Sequence, residues 1–281
     1  TIIMPKNLDF GFNSEEFEGE LSTVPYAQFL NGNHKTFGLA ITSNNAALAE
    51  FQLTENWLPI EHEFSDGVVE NLLLTQQPRL LVLNHSQPLM SDGNEIISYN
   101  REKHQSGDWK AFSYAVVWFL DDENKPLSRL PFRLKLSGYA GITFIKNYSY
   151  YSNNDCFCKQ FLKTYKELTG DKAAEKNNVF YAHAVYSPQL IRTKATSSVN
   201  GQSSFAIMTD GFTKPTATNF NDLIIKNACF TSNRIKELVN STLPWIDFGT
   251  QEPEQVQAKL EPAPEYENSY QAGVEPVAVP F

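Results

Sequence analysis

The chain has 281 residues, a formal charge of −9, 41% apolar residues and 20% charged residues. That length permits one large domain or two small ones with a sizeable core, and the composition excludes collagen-like and wholly disordered classes. No apolar run approaches the roughly 18 residues that a membrane helix needs. Three cysteines, Cys156, Cys158 and Cys229, are too few and odd in number for a disulfide framework.

Residues 1–20 are polar and acidic and read as an arm. Strands are predicted at 24–30 and 36–42, with a short helix over Ala46–Phe51 capped by Asn44 or Asn45. Residues 59–64 and 67–74 read as a hairpin around Ser65, Asp66 and Gly67, and 79–84 as a further strand. The polar stretch 91–108 reads as a loop or hairpin tip. Phe112–Leu120 is the most apolar run and predicts a central strand buried on both faces. Asp121, Asp122, Glu123 and Asn124 make a turn rather than a cation site, and Arg129–Leu136 returns as the next strand. A helix follows at 154–169, ended by Gly170, then strands at 179–186 and 203–208 and a second helix at about 219–240. This order predicts an α+β fold, mainly antiparallel, built as an oligonucleotide-binding-like barrel or a twisted sheet with two helices. The domain organisation is an acidic arm at 1–20, one domain at 21–250 and a flexible, proline-rich acidic tail at 251–281.

The charge is not spread evenly. Residues 1–20 have net charge −4 and 251–281 have −5, so the body between them is neutral. Within the body, 125–194 holds twelve basic and four acidic residues. Strand side chains alternate, so Phe132, Leu134 and Leu136 point one way and Arg129, Arg133 and Lys135 the other. The next segment interleaves Tyr139, Phe144, Lys146, Tyr148, Tyr150 and Tyr151, and the helix after it sets Lys159 and Lys163 opposite an apolar stripe. Rings among cations suit an unpaired strand, whose bases stack for roughly 1–3 kcal/mol each while its phosphates meet the charges. About five neutralised phosphates would give a log–log salt slope near −3.5.

Signatures of catalysis and cofactor binding are missing. The sequence has no phosphate loop, dinucleotide fingerprint, zincin motif or nucleophile elbow, so neither an enzyme nor a cofactor is predicted. His85 and His183 read as structural. No metal site is expected either, since Cys156 and Cys158 are one residue apart and no histidine pair stands at ligand spacing.

The chain ends Glu275-Pro276-Val277-Ala278-Val279-Pro280-Phe281. A glutamate-bearing, proline-rich end finishing in Pro-Phe resembles the tail of bacterial and phage single-stranded DNA-binding proteins. The resemblance covers these seven residues, with one Glu where the family has several consecutive Asp. It implies that Pro280 and Phe281 dock on replication or repair proteins. The sequence therefore predicts a cytoplasmic single-stranded nucleic-acid-binding protein, free of the membrane and able to form a homo-oligomer. The alternative is a structural or assembly protein of a phage or mobile element, with arm and tail making subunit contacts.

Overall fold

The structure is a computed structural model that describes residues 24–32, 35–64, 67–149, 154–197, 203–226, 229–247 and 270–271. Tyr26–Leu30 (β1) and Gly38–Thr42 (β2) pair antiparallel. The helix after them, Ser43–Leu48 (α1), is capped by the Thr42 hydroxyl, which accepts from the Asn45 amide, and not by Asn44 or Asn45. Leu58–Glu63 (β3) and Val69–Thr75 (β4) form the predicted hairpin, and Leu80–His85 (β5) follows.

The stretch expected to be a loop tip is more ordered than its polarity implies. It contains Leu89–Ser91 (β6), Ile96–Ser98 (β7) and Arg101–Gln105 (α2), the last capped by Asn100. Lys110–Phe119 (β8) is the central strand, and Phe132–Ser137 (β9) pairs with it antiparallel. Between them Asp121 Oδ1 accepts from the amides of Glu123 and Lys125, which makes the acidic cluster a turn.

Gly138–Tyr148 (α3) and Phe157–Thr169 (α4) follow, the second ended by Gly170 at φ 71° as its C-cap demands. Residues 179–186, predicted as one strand, divide into Asn178–Tyr181 (α5) and Val185–Tyr186 (β10), because Asn177 caps a turn of helix there. Pro188–Ser197 (β11) and Ser203–Phe212 (β12) form a long hairpin, and Phe230–Ser241 (α6) is shorter than predicted because Cys229 caps it. Tyr270–Gln271 (β13) adds two residues to the edge of β11, within the stretch expected to be a flexible tail.

The main sheet runs β10-β5-β8-β9-β1-β2-β4-β3, with β6 and β7 attached beside β8. All its pairings are antiparallel except β1 with β9. The fold is therefore α+β with a mostly antiparallel sheet. The path is open from β10 to β3, so the described residues form no closed barrel, and they hold six α-helices where two and one short one were predicted.

One face of the sheet carries the main core. Ala115, Val117, Phe119, Phe132, Leu134 and Leu136 meet Phe144 and Tyr148 of α3, Phe157 and Phe161 of α4, and Leu190 and Ile207 of the hairpin. The other face is covered in part. Leu81, Leu83, Val116 and Trp118 pack on Ile235, Leu238 and Val239 of α6, and Leu30, Ala40, Leu72 and Leu74 form a separate small cluster.

Close approach of α3 to β9 rests on Gly141, where a Cβ would lie 2.3 Å from the Leu136 carbonyl carbon. Alanine in a helix is worth about 1 kcal/mol over glycine, but overpacking against backbone costs about 1–3 kcal/mol. Gly141→Ala is therefore expected to lower the urea midpoint of unfolding despite its better propensity. A raised midpoint would mean that α3 and β9 do not pack this closely.

Candidate functional site

Alternation in β9 buries Phe132, Leu134 and Leu136 and turns Arg133 and Lys135 to the opposite face. The antiparallel register sets Tyr114 of β8 opposite Lys135 and Phe112 opposite Ser137. The Arg133 guanidinium carbon lies 5.0 Å from the centre of the Tyr114 ring, and Lys135 Nζ lies 4.5 Å from that of Phe112. Such cation–ring pairs contribute about 0.5–1 kcal/mol when exposed, enough to orient the side chains. Arg133 Nη1 also donates to the Trp245 carbonyl at 3.3 Å, which borders the strip on the α6 side.

Two neighbours extend this strip. Lys110 is exposed and shares the alternation of Phe112 and Tyr114 on β8. Tyr26 pairs with Arg133 across the parallel junction and is 45% exposed. Acidic groups follow on the β6–β7 tip, next to Ser91, which pairs with Lys110; there the amides of Asn94 and Glu95 hydrogen-bond Asp92 and lower its pKa.

A cleft adjoins the strip. β1 and β9 pair only through Tyr26–Arg133 and Ala27–Leu134. Their far ends, together with β12, line a cavity of about 260 Å³ that includes Phe29, Asn31, Lys135, Ser137, Tyr139 and Phe205. Asn31 ties its wall together: its Oδ1 accepts from the Ile207 amide at 2.8 Å and its carbonyl from Arg192 Nε at 3.3 Å. The Arg192 guanidinium carbon stands 4.0 Å from the centre of the Phe205 ring, which is 53% exposed. Tyr139 is half-buried and its hydroxyl contacts Met208 Sδ; burial, then Asp210, raises its pKa.

The predicted residues do not form one trough. Arg133 and Lys135 are together, and Tyr139 reaches them through the cleft. Arg129 lies outside β9, because Pro131 separates it from the strand, and it pairs with Glu50 at 2.6 Å. Phe144 and Tyr148 are buried in the core and offer no stacking surface, a correction to their predicted role. The cause is the unforeseen helix α3, in which Ala140, Phe144 and Tyr148 recur every four residues on its buried side. Lys146 is exposed on the same helix. Lys159 and Lys163 line a different, shallow depression on α4 with Gln160, Glu167 and Thr216. Since Phe157 and Phe161 bury α4 on the core face, these lysines lie on the far side of the sheet from Arg133 and Lys135. Tyr150, Tyr151, Pro280 and Phe281 lie outside the described residues.

The geometry now has a family context. A family model described as a domain of unknown function (DUF5895) matches residues 21–261. The chain belongs to the DUF5895 family. No curated protein and no solved structure matches it.

In this DUF5895 chain the sequence reading missed Lys110 and the half-buried Tyr114 as surface-facing groups because it assigned all of β8 to the interior; Phe112 between them is buried, 7% exposed. Only the second half of β8, from Ala115, is buried without a break. It also missed β11, whose Arg192 and Lys194 alternate with Thr193 and Ala195, a period-two signal present in the sequence.

Elsewhere the reactive side chains are held in place. His183 is buried between the Val179 carbonyl and the Ser232 hydroxyl, and desolvation lowers its pKa, so it serves packing. Among the described residues no three metal-ligating side chains gather. Burial pushes the Cys158 thiol far up, beside Tyr148, while Cys229 is exposed. The folded chain is therefore expected to react with a thiol reagent rapidly at Cys229 alone, and at Cys156 and Cys158 only after denaturation. Rapid labelling of Cys158 would contradict its buried position.

Proposed function

We propose that this chain binds single-stranded nucleic acid across the outer face of β8 and β9. The observation that carries the reading is the pair of cations on adjacent rings, Arg133 on Tyr114 and Lys135 on Phe112, with Lys110 in line on the same side. An extended strand crossing this face meets charge for its phosphates and, for its bases, the half-buried Tyr114 ring, the exposed Tyr26 ring and the outer side of an arginine that already rests on a ring, while the buried Phe112 only seats Lys135. Paired bases keep their faces inside the duplex, so the same strip favours unpaired strands.

The mechanism is non-covalent and calls on no cofactor. It replaces the predicted helical aromatics with Tyr114 of β8 and Tyr26 of β1 and keeps Arg133 and Lys135 of β9. Arg192 and Lys194 on β11 supply further charge beyond the cleft. A cytoplasmic setting in replication or recombination goes with this reading, and the Pro280-Phe281 end is its proposed contact for partner proteins. A subunit-assembly role is favoured by one feature, the edge of β11 that accepts the short strand β13.

Fluorescence anisotropy with labelled oligothymidylate and a duplex of equal length tests the proposal. The single strand is expected to bind more tightly, with affinity falling steeply as salt rises. Arg133→Ala combined with Lys135→Ala should flatten the log–log salt slope by about 1.4, two phosphates at about 0.7 each. Equal affinity for duplex, or a slope unchanged in the double variant, would overturn it.

The tail offers an independent check. Its net charge is −5, and β13 pairs with Thr196 and Ser197, two residues beyond Lys194. Deleting 251–281 is expected to tighten single-strand binding at low salt and to have little effect at high salt, where such repulsion is screened. Weaker binding by the shortened chain at low salt would count against competition between tail and strand.

A further inference from the structure

We propose that the cleft between the ends of β1, β9 and β12 receives one unstacked base of the bound strand. This inference rests on the single-strand reading above and names a subsite within it. Three observations meet here. The cleft is continuous with the strip, because Lys135 both lines it and lies over Phe112. Its mouth carries the half-exposed Phe205 ring, with the Arg192 guanidinium over that ring. Its wall is polar where a base edge would meet it, with Asn31, Ser137 and Ser204 alongside the Tyr139 ring.

At about 260 Å³ the space is smaller than the roughly 300–1,000 Å³ of drug-sized sites. That restricts it to a single ring system and excludes a stacked pair. The chemistry divides accordingly. Phe205 and Tyr139 supply ring surface, and the serine hydroxyls and Asn31 supply hydrogen-bonding groups. Lys135 and Arg192, on either side of the cleft, meet the flanking phosphates. A strand entering from β8 would leave its regular path here, because β1 and β9 no longer pair and the sheet surface gives way to a gap.

The cavity wall is fastened independently of any ligand. Asn31 holds β1 to β12 and β11 through two backbone-directed hydrogen bonds, so the cleft is preformed and little ordering is required on binding. Phe205 is exposed on a hairpin, and replacing it leaves the core residues Ile207 and Phe212 in place.

The test uses the full chain and oligothymidylate carrying one 2-aminopurine, whose fluorescence rises when the base leaves its neighbours. Binding to the wild-type chain is expected to raise the signal for the probe that reaches the cleft as the label is moved along the strand. Phe205→Ala should weaken binding about tenfold, within the range of one lost stacking contact, and remove the signal. Ser204→Trp, which fills the mouth instead of emptying it, should do the same. If the wild-type chain binds the strand and both variants match it in affinity and fluorescence, the cleft proposal fails while the strip reading stands. If the wild-type chain binds no single strand at low salt, both fail.

Discussion

The register of β9 is the constraint from which the surface chemistry follows. Burying Phe132, Leu134 and Leu136 stabilises the fold by about 1.5–3 kcal/mol each as an upper estimate, and all three meet the layer formed by α3, α4 and the β11–β12 hairpin. A slip of one residue would expose these side chains and drive Arg133 and Lys135 into the same interior. Unpaired buried charges cost several kcal/mol each. Both terms favour one register, so the position of the two cations is fixed by the core behind them.

What remains open on the outer face is a matter of dimensions. Eight strands at about 4.8 Å spacing make a sheet about 34 Å wide, whereas one helix is about 10 Å across. Among the described residues α6 is the long helix on that face, seated on Leu81, Leu83, Val116 and Trp118. It therefore covers the β5–β8 end, and Trp245 behind it marks the limit. Beyond that limit the first half of β8 and the whole of β9 present Lys110, Tyr114, Arg133 and Lys135, with Phe112 buried beneath Lys135. The strip exists because the covering layer is narrower than the sheet, and the same aromatic types serve as core where α3 covers the other face.

This division explains what was legible in the sequence. The alternation of β9 from Phe132 onward, the β3–β4 hairpin, the acidic turn at 121–124 and the helix closed by Gly170 each rest on local chemistry and stand in the structure, whereas Arg129 falls outside the strand it was read into. The aromatics from Tyr139 to Tyr148 carry two compatible patterns, cations among rings and apolar residues four apart. Only contact with Phe157 and Tyr186 selects the second. Likewise, the lysines of α4 and the cations Arg133 and Lys135 of β9 are neighbours in sequence and charge, but the sheet between them puts them on opposite sides. Composition counts such residues together. Topology, which single-sequence periodicity does not carry, separates them.

The same separation bears on how an acidic chain meets a polyanion. At physiological salt an exposed charge is felt over about 8 Å, so the net −9 is not the quantity that a nucleic-acid strand experiences. On the proposed reading the strand would meet Arg133, Lys135 and Lys110, with Asp92 and Glu95 near one end. The acids of 1–20 and 251–281 bear on it only where those segments approach. Ring contacts are nearly indifferent to salt, whereas phosphate contacts weaken with every increment of it. An interface made of cations lying directly on rings therefore couples a screened term to an unscreened one. It orients the charge by the ring when free, and the strand must satisfy both partners of each pair to displace neither. That requirement favours an unpaired chain, whose phosphate and base reach the surface together, over a duplex, which offers phosphates alone.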